Sequence, residues 1–181
     1  LKTSRNVFHL VTADLSELSR IQYAGSMWTK IYSLNALDGL PIYDSRVAVA
    51  IAALVELFRQ QNEYVWTEVP PSLEFFYVDP NRTVNKLDLS AVAPKGLLNR
   101  KTGRYVNNNF VYQWSSCKIR LGWIIEETLS RQVELFRESG SLARRSHAFE
   151  AALFMIGYDV QCLSGNLRLS RGKFYWAMST G

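Results

Sequence analysis

The sequence predicts a mainly α-helical fold, and three observations carry that prediction. Apolar residues recur at three- and four-residue steps from Asn109 to Phe136, the period of a helix with one inner face. Val47 to Phe58 is almost wholly apolar, interrupted by Glu56, which reads as a helix buried all round and running through the middle of the protein. Serine, aspartate and glycine stand where helix starts and stops require them. At 181 residues and 48% hydrophobic, the chain suffices for one well-buried core and is short for two, so residues 1–181 read as a single domain.

Taken in order, the first 35 residues read as short helical pieces. Asp14 or Ser16 is typed to cap Leu15 to Arg20, and Ser26 to cap Met27 to Leu34, with Gly25 and Asp38-Gly39 as punctuation. Pro41 pushes Leu40 out of helical geometry, and Asp44 then caps the run from Ser45 to Phe58. Residues 62–106 have no clean period. Pro70-Pro71, Asp79-Pro80, Pro94, Gly96 and Gly103 make them an irregular excursion, with a short strand expected at Phe75 to Val78. The helical period then returns from Asn109 through Phe110, Trp114, Cys117, Leu121, Ile125, Leu129, Val133 and Phe136, as one long helix or two joined near Gly122. Gly140 ends it, Ser141 or Ser146 starts another with Phe149, Leu153 and Ile156 inward, and residues 165–178 suggest a small hairpin.

Composition limits the functional classes. No apolar run approaches the roughly 20 residues that cross a bilayer, and Leu1 to Arg5 lacks the order of a secretory signal, so a cytoplasmic protein without a membrane partner is expected. Cys117 and Cys162 form no CxxC pair and lie far from His9 and His147, so no metal centre, disulfide or organic cofactor is implied. The net charge of +5 is concentrated: residues 81–120 hold eight Lys/Arg (Arg82, Lys86, Lys95, Arg100, Lys101, Arg104, Lys118 and Arg120) against Asp88 alone. Such a patch suits a polyanion, most simply nucleic acid, although a solvated basic loop has the same composition.

The chemistry centres on Asp44 and Lys30. A capping carboxylate is favoured as the anion by backbone N–H groups and the helix dipole. It either holds a helix end or offers negative charge to a cationic reaction centre. Breaking a sugar–base bond passes through such a centre, and cutting the strand as well requires an amine that attacks the anomeric carbon. The target base must also leave the stack, at a cost of a few kcal/mol that contacts to the distorted DNA offset.

The order Ser26-Met27-Trp28-Thr29-Lys30, short element, Pro41-Ile42-Tyr43-Asp44-Ser45-Arg46-Val47-Ala48, buried helix resembles the helix-hairpin-helix DNA glycosylase superfamily, and most of all the bacterial 8-oxoguanine glycosylase-like group. The resemblance covers Tyr23 to Phe58. It implies a helix-hairpin-helix-like element before the central helix and a DNA glycosylase that excises a damaged or modified base, with lyase activity if Lys30 is the nucleophile. Asp44 matches the catalytic aspartate, Lys30 the attacking lysine, and Gly25 and Ser26 the hairpin that grips a phosphate. Trp28, Arg46, Lys95, Arg100, Lys101 and Arg104 are the expected nucleic-acid contacts, and DNA is the expected partner. An attacking lysine must be unprotonated, so Lys30 is expected to be buried beside the base pocket. A non-catalytic nucleic-acid-binding protein on the same scaffold is the alternative.

Each residue also has a plainer use. Asp44 serves as a cap alone, Lys30 as a surface lysine with its stem packed, and Arg46 as a partner of Asp44 or Glu56. Trp28 and Trp114 are typed for core. Tyr112, Trp114, Asn109 and Gln113 suit a base pocket by composition, and His147 a phosphate, without any spacing that requires it.

Overall fold

The computed structural model describes residues 6–61, 70–77, 108–160 and 162–165. Within them the protein is mostly helical, and no strand occurs among the described residues. The α-helices are α1 (Ser26–Asn35), α2 (Ser45–Gln61), α3 (Asn108–Arg131), α4 (Leu142–Ile156) and the single turn α5 (Cys162–Gly165). Three 3-10 turns accompany them at Leu15–Arg20, Pro71–Leu73 and Arg137–Ser139. Among the described residues no helix is long and apolar enough to cross a membrane.

Helix α2 is the hub, as its composition requires. Every residue from Val47 to Ala53 is buried, and Tyr43, which enters the helix, is fully so. This rod shares one core with Trp114, Cys117, Leu121, Ile125 and Leu129 of α3 and Leu153 of α4. A second cluster joins Val7, Phe8, Leu10, Leu18, Ile21, Tyr32 and Leu40 to Ile119, fastening the N-terminal pieces to the far side of α3. Close approach matters where α4 meets α2: a Cβ on Gly157 would run into the carbonyl of Arg46, so the end of α4 lies directly on the first turn of α2.

Helix α3 is continuous through Gly122 but ends at Arg131, short of the expected Phe136. The reason is a long-range cap. Arg145 of α4 donates through Nη2 to the carbonyls of Leu129 and Gln132 (3.2 and 3.0 Å) and through Nε to that of Leu135 (3.0 Å). These include carbonyls a terminating helix leaves without partners, and the guanidinium supplies their donors from another element. Phe136 then adopts a left-handed conformation, φ 55°, and Gly140 one of φ 89° before Ser141 caps α4 by accepting from the Arg144 N–H at 3.4 Å.

The expected strand at Phe75 to Val78 is corrected over Phe75–Tyr77, which form none. Both backbone groups of the middle residue are taken by side chains: the Tyr43 hydroxyl donates to the Phe76 carbonyl at 2.6 Å, and the Phe76 N–H points at the Cys117 sulfur at 3.5 Å. Phe75 is fully buried against the Tyr43 ring. A residue satisfied this way has neither backbone group left for a ladder. The expected hairpin at residues 165–178 lies, apart from Gly165 in α5, outside the described residues, as does most of the basic excursion.

Candidate functional site

Asp44 is the cap the sequence predicts. Its Oδ1 accepts from the N–H groups of Arg46 (2.9 Å) and Val47 (3.0 Å), and its carbonyl accepts from Ala48 at 2.8 Å to begin α2. Both side-chain bonds use Oδ1, so the cap does not consume Oδ2. The residue as a whole is 6% exposed.

Helix α1 is held against this cap by Thr29. The Thr29 hydroxyl accepts from the Tyr43 N–H at 2.8 Å, tying the residue before Lys30 to the residue before Asp44. With one peptide step on each side of that bond, the Lys30 and Asp44 Cα atoms lie no more than about 14 Å apart. Lys30 is exposed, and so are Met27 and Leu34 on the same outer face of α1. The expectation that Lys30 is buried is therefore corrected: the inner face of α1 belongs to Thr29, Tyr32 and Ser33, and position 30 is rotated away from it.

The interior instead holds a lysine that composition assigns to the surface. Lys118 belongs by charge to the basic patch, yet it is 1% exposed. Its Nζ donates to the Thr29 hydroxyl (3.0 Å), the Thr29 carbonyl (3.2 Å), the Ser33 hydroxyl (2.6 Å) and the Pro41 carbonyl. Burial pulls its pKa down to about 7, against the fields of Glu150 and Asp38, which favour the ammonium. The available signal was position: Lys118 sits between Cys117 and Ile119 in the middle of the best-defined apolar period. Arg120, another cation of the basic patch, donates to the Pro71 carbonyl at 2.5 Å.

The remaining candidates are dispersed. Gly25, φ 116°, is the N-cap of α1, so Ser26 begins the helix and does not cap it. Trp28 is half-buried between Tyr23 and Tyr32, with ring centroids 5.0 and 5.9 Å away. Two positions from Lys30 on the same helix, it projects to the opposite flank. Arg46 turns away from the cap. Its guanidinium lies 3.4 Å from the Tyr158 ring centroid and 4.8 Å from that of Phe154, a cation–π clasp to the end of α4. Trp114 is core, edge-on to Tyr43 at 4.8 Å, while Tyr112 is 37% exposed. His147 lies 3.3 Å from Glu150, whose carboxylate accepts from the Ile42 N–H at 3.0 Å. Lys95, Arg100, Lys101 and Arg104 fall outside the described residues.

A cavity of about 250 Å³ opens at the other end of α1, lined by Asn6, Phe8, His9, Tyr32, Asn35 and Asp38 among others. None of the predicted site residues among the described ones borders it. Thr29 thus links the helix that carries the exposed Lys30 to the segment that ends at the capping Asp44, and the buried Lys118 amine bonds to Thr29 and Pro41, one on each. No family model, curated protein or solved structure matches the chain.

Proposed function

We propose that this protein excises a damaged or modified base from DNA. The observation that carries the reading is the Thr29–Tyr43 hydrogen bond, which sets the exposed Lys30 and the capping Asp44 on adjoining elements. The fixed Asp44 carboxylate would face the cationic sugar as the glycosidic bond breaks, with Oδ1 held by the helix and Oδ2 outside the cap. Lys30, as the free amine, would attack the anomeric carbon. The C1′–N bond's electron pair leaves with the base, which takes a proton from water; the bound amine loses one proton, and its lone pair then expels the ring oxygen, which takes that proton and leaves a protonated iminium on the opened sugar. The basic residues between 81 and 104 would hold phosphates.

Exposure of Lys30 favours a second reading on the same scaffold, a non-catalytic nucleic-acid binder in which this amine contacts phosphate. Base release from duplexes carrying modified purines and pyrimidines separates the two. Excision lost in Asp44→Asn, which still caps the helix, supports the enzyme. Salt-sensitive binding without base release from any duplex, unchanged in Asp44→Asn, supports the binder and removes the enzyme.

A further inference from the structure

Lys118 is a buried amine that the proposed chemistry does not use, and its surroundings are unusual. A lysine in an interior ordinarily meets a carboxylate, because removing a charge from water is costly unless it is paired. Here its partners are neutral oxygens, two from Thr29, one from Ser33 and one from Pro41. Thr29 and Ser33 belong to α1, which carries Lys30, while Pro41 opens the short segment that ends at Asp44. Thr29 is shared: its hydroxyl accepts from both Lys118 and the Tyr43 N–H.

We infer that Lys118 is the positioning residue of this site, its ammonium clamping helix α1 to the Pro41–Asp44 segment and so fixing the Asp44 carboxylate relative to Lys30. An ammonium has three N–H donors and no lone pair, so it suits a cage of oxygens alone. The neutral amine keeps two donors and brings a lone pair into a cage of four oxygens, which loosens the clamp. The charged groups around it are Glu150 of α4, with His147 beside it, and Asp38 of the turn after α1, with His9 at 3.8 Å and Glu126 of α3 within its field. Glu150 and Asp38 favour the ammonium against burial, which leaves the amine titrating at about 7. The clamp therefore tightens as pH falls through neutrality. As a statement about this site's chemistry, the inference rests on the excision reading; as a statement about structure, it does not.

The test follows the intact protein by NMR from pH 5.5 to 8.5. The amides of Arg46 and Val47, which donate to Asp44, and of Tyr43, which donates to Thr29, should shift with the same midpoint as the Lys118 side-chain resonances. That step should vanish in Lys118→Met and move in Ser33→Ala, which removes one cage oxygen. Wild-type amides that ignore the Lys118 titration overturn the inference, and so does a step that persists in Lys118→Met. If Lys118→Met does not fold, the wild-type and Ser33→Ala titrations decide alone. Excision, measured in parallel on a modified-base duplex, should show a fall of tenfold or more in kcat in Lys118→Met with little change in KM. An amide step without excision in any protein sinks the excision reading and leaves the clamp.

Discussion

The buried lysine makes the stability of this protein depend on pH in the direction opposite to that of a lysine paired with a carboxylate. In the unfolded chain Lys118 has its ordinary value near 10.5, and in the folded protein burial holds it at about 7. Between those values the unfolded state binds one more proton, so stability rises with pH. The contribution is complete above the unfolded value and is lost as pH falls through the folded one. A displacement of about 3.5 pH units corresponds to about 5 kcal/mol in all, of which about 2 kcal/mol accrues between pH 7 and pH 9. Above pH 9 the Cys117 thiol, pushed by burial up to about 11, works in the opposite sense because it ionises more readily once unfolded. Urea unfolding of wild type and Lys118→Met at pH 6, 7, 8 and 9 isolates the lysine, since Cys117 is common to both. The wild type should gain about 2 kcal/mol over the variant from pH 7 to pH 9. A constant difference between the two proteins across that range would refute the assignment of a depressed, titrating amine at position 118.

Other contacts give sharper local expectations. Arg145→Ala removes the guanidinium from the carbonyls at the end of α3 and should cost about 1–3 kcal/mol in denaturant unfolding, with faster amide exchange after Thr128. Gly157→Ala places a methyl group against the Arg46 carbonyl, backbone that cannot rotate aside, and should cost about 1–3 kcal/mol by forcing α4 off α2. Tyr43→Phe deletes the hydroxyl that meets Phe76 at 2.6 Å and leaves a buried carbonyl unpaired, a loss of about 1–3 kcal/mol by the same measurement.

Much of the helical framework is legible in the sequence because it rests on local chemistry. Asp14 caps Leu15–Arg20 and Asp44 caps α2 through their own neighbours' N–H groups, and the continuous apolar run of α2 fixes its place in the middle. Features decided by distant partners were not legible. The end of α3 is set by Arg145, and the missing strand at Phe75–Tyr77 by Tyr43 and Cys117, partners separated from those segments by ten residues or more. Lys118 is the most instructive case. Charge counting assigns every lysine to the surface, whereas the helical period places this one among Cys117, Ile119 and Leu121, and the period prevailed because Thr29, Ser33 and Pro41 supply oxygens. Within the site, the order of Lys30 and Asp44 along the chain is visible in the sequence. The Thr29 hydroxyl that brings their elements together is a single side chain with no pattern of its own.

If Lys30 is the attacking amine, an abasic-site duplex should trap it covalently, and the site of any adduct decides the matter. The protein would be reduced with borohydride on an abasic-site duplex, digested, and the crosslinked peptide mapped by mass spectrometry. One adduct is expected, at Lys30, absent in Lys30→Gln and weakened in Asp44→Asn. An adduct at Lys95 or Lys101, or an undiminished yield in Lys30→Gln, would contradict it.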